Sequence, residues 1–450
     1  MSVGTEAVTE GSRSSFWADV KSVLAERDFR RLFAVRLVSQ SGDGILTAAV
    51  GTYVFFNAST FPSPTAGAAA FAVLYLPYSL IGPFAGVFID RWSRRQIMVW
   101  SALIRAVFVV ATAALMAAGN RGVPLYIAVL AVLGVNRFFL SSLSAALPHV
   151  VADDKLVVAN SVSPTIGGIM SALGGIIALG LNAATGDTER GAALTMLVGG
   201  ACYVGAGLVA LTLRRDLLGP DRTELSGARL LSDLTDVAAG LLAGARYVLK
   251  RPGPRAALGA TGGYSFLFGP LFLMSILLYR NYFYPGHVTV AESHVGVLAV
   301  FSAVGYACAA LITPPATRRI SKEAWIALLM AAAAVVTAVG GETFNQYVYL
   351  AIGFLMYLTR QAVAISVTTI LQEEVEDKYR GRVFAFYDMM FNATYVAGAA
   401  LFAALMPANG KSPVIVAVIA VGFLVAATAY WLSVRGSTGS PSAAAQRSNS

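Results

Sequence analysis

Apolar stretches of roughly 20 residues recur along this chain, parted by short clusters of charge, and helix of that length crosses about 30 Å of hydrocarbon. Within lipid every backbone N–H and C=O must find a partner inside the protein, so helices or a closed barrel are the only spanning choices. Unbroken runs such as AALTMLVGGACYVGAGLVALTL (192–213) lack the apolar–polar alternation of barrel strands and read as helices. Composition agrees. The chain is 57% hydrophobic and 13% charged, against about 25% charged in an ordinary soluble domain.

Twelve spans are expected, at 29–57, 66–89, 96–118, 123–147, 158–183, 191–213, 255–279, 292–315, 322–340, 345–371, 381–406 and 412–434. Cytoplasmic loops are enriched in Lys and Arg. Of the 33 basic residues, 25 fall in segments on the side of the N-terminus, and only Arg121, Arg190, Arg280 and Lys411 fall in the opposite loops. That asymmetry predicts cytoplasmic termini. The net charge of +9 therefore belongs to membrane topology and does not imply a nucleic-acid partner. Residues 1–28 are polar at their start and predict no cleaved signal peptide.

The segment 214–254 divides the spans into six and six, giving bundles at 29–213 and 255–434 and a tail at 435–450 expected to be disordered. In the divider, Leu230, Leu234, Val237, Leu241, Ala245 and Val248 form one helical stripe, which predicts an amphipathic strap on the inner membrane surface. The halves also echo one another. Shifted by 223 positions, Arg137 meets Arg360 and Asp153-Asp154-Lys155 meets Glu376-Asp377-Lys378. Repeated halves imply alternating access, with the substrate between them near the midplane. The fold class expected is thus all-α, with twelve transmembrane helices in two pseudo-symmetric six-helix bundles.

Between the second and third expected spans stands GVFIDRWSRR (86–95). Ordinary inner-surface charge would explain the arginines but not an acid four residues after a glycine. Gly86 permits close helix approach, Asp90 can accept from a neighbouring helix N-terminus, and Arg91, Arg94 and Arg95 can pair across the two halves. Such a cluster suits a conformational latch. The stretch resembles the signature loop of the major facilitator superfamily, G-x-x-x-D-R-x-G-R-R, with Ser93 in place of the second glycine. The corresponding second-half loop keeps Arg318 and Arg319 but has no acid. FRRLFAVRLVSQSGDG (29–44) and LSAALPHVVADDKLVVANSV (143–162) are similar to the drug:proton antiporter group that contains macrolide and siderophore exporters. That resemblance implies proton-coupled export of amphipathic small molecules from a bacterial inner membrane by a monomer. SPTIGGIMSALGGIIALG (163–180) has the glycines of the group's fifth span, but Pro164 precedes them.

Charge inside the membrane is costly unless paired or hydrated, and so marks function by default. Asp43 lies about 20 Å along the first span, among small neighbours. Arg137 stands midway along the fourth span, where its position resembles the arginine of the superfamily's proton relays. Burial disfavours a carboxylate and a nearby guanidinium favours it. An Asp43–Arg137 pair whose separation changed through a transport cycle would therefore take up and release a proton. The alternative is a static pair, such as Asp43 with Arg36. Arg360 and Asp388 form the expected second-half pair, structural or in contact with substrate. Arg105 is expected to neutralise an acid or to reach the interface. Tyr53, Tyr75, Tyr264, Phe268 and Tyr357 are aromatic candidates for a cavity wall, alongside Arg36.

No cofactor or metal is expected. Cys202 and Cys308 lie inside apolar runs, and the three histidines lie near membrane edges. The NGKS at 409–412 resembles the end of a phosphate loop, but Leu405 occupies its earlier glycine position. The expected partners are membrane lipid, a small-molecule substrate and protons. A lipid or lysophospholipid carrier of the same fold is the second reading, and a transporter-shaped sensor or scaffold is the third.

Overall fold

The computed structural model describes residues 16–55, 63–69, 72, 92–152, 156–186, 188–214, 218 and 230–438. The secondary structure described is helical, and it runs α1 (Phe16–Ala25), α2 (Arg27–Phe55), α3 (Arg94–Ala117), α4 (Val123–Ala146), α5 (Leu156–Ala184) and α6 (Glu189–Leu211) in the first half. Then follow α7 (Leu230–Leu249), α8 (Pro252–Leu277), α9 (Val288–Thr317), α10 (Lys322–Gly341), α11 (Gln346–Glu374), α12 (Asp377–Ala403) and α13 (Pro413–Thr438). Among the described residues nine helical segments are long and apolar enough to cross a membrane. Helices α2 and α12 match two further expected spans in position and length but carry more charge. Most of the expected second span, 66–89, lies outside the described residues, so the count of twelve is not reached within them. The chain is a multi-pass membrane protein.

Each half packs by the same rule. In the first, α2 lies against α5 and α6, while α3 lies against α4 and α6. In the second, α8 lies against α12 and α13, while α10 lies against α11 and α13. The repeat seen in the charges is therefore a repeat of packing. Lipid tails give no hydrophobic drive for helix association, so close backbone contact must supply it. Glycines do so at equivalent places. A Cβ on Gly44 would stand 1.8 Å from the Ser171 carbonyl oxygen, and one on Gly174 2.1 Å from that of Ser41, across α2 and α5. Across α8 and α12, a Cβ on Gly269 would stand 2.3 Å from the Tyr395 oxygen and one on Gly398 1.9 Å from that of Phe266. The glycine-rich stretch of the fifth span is thus a contact surface for the first.

The amphipathic helix expected in the divider is α7, and its contacts are specific. It packs on α12, with Gly244 against the Arg382 backbone and Tyr247 stacked on Tyr379 at 4.3 Å. The Tyr247 hydroxyl accepts from the Glu376 N–H at 3.2 Å, and Arg251 pairs with Glu376. The strap is moored to the second half.

Candidate functional site

Asp43 is held inside the first half. Its carboxylate accepts from Arg105 at 3.1 Å, from the Tyr203 hydroxyl at 2.8 Å and from Asn136 at 3.3 Å. Arg105 is fully buried and donates further to Asn136 at 2.6 Å and to Ser39 at 2.8 Å. Its guanidinium lies over the rings of Tyr203 and Phe139, at 4.1 and 4.4 Å. Four helices, α2, α3, α4 and α6, are tied by this one network. Asp43 therefore pairs with Arg105 of the third expected span, and the partners expected from sequence, Arg137 and Arg36, are elsewhere. The physical reason is rotational. Residues 136 and 137 differ by about 100° around α4, and it is Asn136 that faces the bundle interior. Arg36 donates to Gln40 and to Ser163, each at 3.2 Å, joining α2 to α5.

Gly86, Asp90 and Arg91 of the loop motif lie outside the described residues. Its remaining arginines brace their own half. Arg94 donates to His149 at 2.9 Å and to the Leu218 carbonyl at 3.0 Å, and Arg95 donates to the Leu211 carbonyl at 2.7 Å. The expected pairing across the halves is not what these two side chains do.

Arg360 and Asp388 line one cavity of about 300 Å³ with Tyr306, Gln361, Ala364, Tyr387 and Phe391. They form no ion pair with each other. The charge of Arg137, from α4 of the first half, also acts on Asp388. Asp388 is exposed within the cavity. The Arg360 guanidinium lies 4.7 Å from the Phe391 ring and 4.9 Å from the Phe268 ring. A second, apolar cavity of about 220 Å³ adjoins it, walled by Phe268, Phe272, Leu298, Met356 and Tyr357 among others.

Two of the expected aromatics thus line a cavity, Phe268 and Tyr357. Tyr53 and Tyr264 do not. Tyr53 is 1% exposed and donates to the Met116 and Asn120 carbonyls, while Tyr264 is 2% exposed and hydrogen-bonds Thr359 at 2.6 Å. Both hydroxyls find partners within their own bundles, as buried tyrosines do. Tyr75 lies outside the described residues.

The halves meet at the end of the bundle opposite the N-terminus. There Thr52 of α2 donates to the buried Glu292 of α9 at 2.9 Å, and Asn182 of α5 approaches the same carboxylate oxygen at 3.5 Å. Leu179 packs where Gly296 leaves room. The sequence reading passed over Glu292 because it begins a span, where a carboxylate is ordinary. It also passed over Asn136 and Tyr203, whose polar atoms sit in apolar runs without a local charge pattern.

Two bundles of like packing that meet at one end have the architecture of a membrane transporter, not of an enzyme. The first 3–214 residues match the family model described as MFS/sugar transport protein. MFS-type transporters of Mycobacterium bovis and Mycobacterium tuberculosis are each 35% identical over 406 residues, covering 89% of this chain and 89% of theirs. The chain belongs to the major facilitator superfamily. Among solved structures, the nucleoside transporter NupG aligns with a TM-score of 0.66 at 15% identity, over 90% of this chain and 98% of its own. A bacterial homologue of the iron transporter ferroportin in an inward-facing state aligns at 0.64 and 16%, over 90% and 98%. A POT family transporter holding a thioalcohol-conjugated peptide aligns at 0.65 and 11%, over 90% and 96%.

Proposed function

We propose that this chain carries amphipathic small molecules by alternating access, driven by protons, with Asp388 and Arg137 as the coupling pair. The observation that carries the reading is the position of Asp388, open to the cavity of the second half while a counter-charge that acts on it stands on the first. A relative movement of the halves changes that separation. A carboxyl exposed in one state and opposed by a guanidinium in another has the two environments that proton exchange requires. Asp43 fits this role less well, because three donors already hold its carboxylate.

The aromatic and aliphatic wall beside the charges favours a cargo with both polar and apolar parts. The neighbours in fold are named for nucleoside, iron and peptide transport, so fold alone does not choose the cargo. Export, an inner-membrane location and cytoplasmic termini rest on the sequence resemblance and the basic-residue asymmetry. Charges retained in the cavity favour transport over a scaffold role, which has no use for them.

The test is gradient-driven accumulation in sealed proteoliposomes, using a panel of dyes, macrolides, siderophores and lysolipids with and without a proton gradient. Asp388→Asn keeps the shape of the side chain and removes its titration. It should abolish accumulation against a gradient while leaving counterflow exchange intact. An Asn variant that still accumulates cargo with the normal dependence on the proton gradient would exclude Asp388 as the coupling group.

A further inference from the structure

We infer that Arg360 is an anion-binding point, and that the cargo class is an amphipathic organic anion whose apolar part enters the cavity between α8, α9 and α11. This rests on the transport reading above. Arg360 lies midway along α11, at the depth where a charged side chain must be paired or hydrated. Neither compensation comes from a carboxylate. Among the described residues none forms an ion pair with it, and Asp388, the acid that shares its cavity, is also acted on by Arg137. Rings take the place of an acid. Phe391 and Phe268 lie at 4.7 and 4.9 Å from the guanidinium, and Tyr357 and Tyr395 at 5.9 Å.

Aromatic contact of this kind holds a cation without neutralising it. It supplies no acceptor oxygen to the guanidinium, whose N–H donors lie in a fork that matches a carboxylate or phosphate. Among the described residues the buried Nε–H has no hydrogen-bond partner. Arg360 thus faces the cavity with no carboxylate paired to it among the described residues, and a single anion would neutralise it.

The apolar half of the site lies behind the same rings. Phe268 and Tyr357, which flank Arg360, also wall the 220 Å³ cavity, whose lining is otherwise aliphatic and aromatic apart from Ser275 and Ser302. An aryl or short alkyl group fits there with its acidic group at Arg360.

Three probes of one skeleton separate charge from greasiness: 5-phenylvalerate, 5-phenylpentanol and 5-phenylpentylamine. Each is measured by equilibrium dialysis against the full-length protein in lipid nanodiscs at neutral pH, with empty nanodiscs subtracted. The anion should bind at least about tenfold more tightly than the alcohol, and the amine least. Arg360→Met should remove the anion's advantage without changing alcohol binding. Arg360→Lys, which keeps the charge but not the fork, should retain part of it. Phe272→Ala should weaken the anion and the alcohol alike. The wild-type ranking needs no variant and decides the matter if Arg360→Met does not fold. Equal binding of all three, preference for the amine, or no binding of any overturns the inference. An oleoyl lysophosphatidate arm identifies the source: tighter Arg360-dependent binding than phenylvalerate assigns the anion to a lipid headgroup, and weaker binding assigns it to a free organic acid. Proton-driven transport of the alcohol or amine would overturn the anion while sparing the transport reading. Arg360-dependent anion binding without any gradient-driven movement would do the reverse.

Discussion

Replacing Arg105 by Met should be among the most damaging single changes in the first half, and the companion change at Asp43 should repair part of the loss. Arg105 is fully buried, and its removal strands three acceptors: Asp43, Asn136 and Ser39. Asp43 keeps the Tyr203 and Asn136 donors but loses its counter-charge. Breaking a buried pair by deleting one partner costs about 3–5 kcal/mol, chiefly because the other charge is left uncompensated. The reverse change, Asp43→Asn, leaves the fully buried Arg105 without its counter-charge. Arg105 retains Ser39, Asn136 and the two ring faces, and Asp43 is 17% exposed rather than sealed. A hydrogen bond to a charged group, worth about 1.5–3 kcal/mol, is the least that this change should cost. In the double variant no carboxylate is stranded, so it should be more stable than Arg105→Met alone by about 1–3 kcal/mol. The assay is unfolding in mixed micelles, followed by the size-exclusion profile after a temperature series, with proton-driven transport measured on the same preparations. Stability should follow the pair, and transport by Asp43→Asn should keep its dependence on the proton gradient. If Asp43→Asn is fully stable yet loses gradient dependence, Asp43 is the proton carrier and its assignment as a brace fails. If the double variant is no better than Arg105→Met, the network is not organised around the ion pair.

The glycine seams should respond alike in both halves. Gly174→Ala and Gly398→Ala each set a methyl about 2 Å from a carbonyl oxygen, so each should destabilise by roughly 1–3 kcal/mol, whereas Gly168→Ala, which meets nothing within 4 Å, should be neutral in the same unfolding assay. Glu292→Ala removes the carboxylate that Thr52 and Asn182 share; hydrogen bonds to a charged group are worth about 1.5–3 kcal/mol, which shifts the balance of states roughly 10- to 150-fold toward an open far end. A single cysteine at Leu179 should then react faster with an impermeant maleimide added from that side, and an unchanged rate would show that the contact does not hold the halves together.

Much of this architecture is written in one dimension. Span length and apolar continuity predict helices at the positions of α2 to α6 and α8 to α13, because lipid allows a backbone of that length no other open form. The repeat of two halves was legible too, since the displacement that brings Arg137 onto Arg360 also carries α4 onto α11, which pack alike in their halves. The amphipathic stripe foretold α7, and mid-membrane cost marked Asp43, Arg105, Arg137, Arg360 and Asp388 as groups that must find partners.

Partner choice was decided only in three dimensions. A charge in an apolar run shows that compensation exists, but which charge supplies it depends on helix rotation and on neighbours far away in the chain. Asp43 and Arg105 are 62 positions apart, and one step along α4 decides that Asn136, not Arg137, joins them. The same holds for Arg360, whose expected acid shares its cavity without pairing, while rings from α8 and α12 lie beside its guanidinium. Tyr53 and Tyr264 show the limit from the other side: nothing local separates a tyrosine that lines a cavity from one whose hydroxyl is taken by a neighbouring helix. Hydrophobicity along the chain sets which segments enter the membrane, and side-chain partners across it are chosen only when the helices have packed.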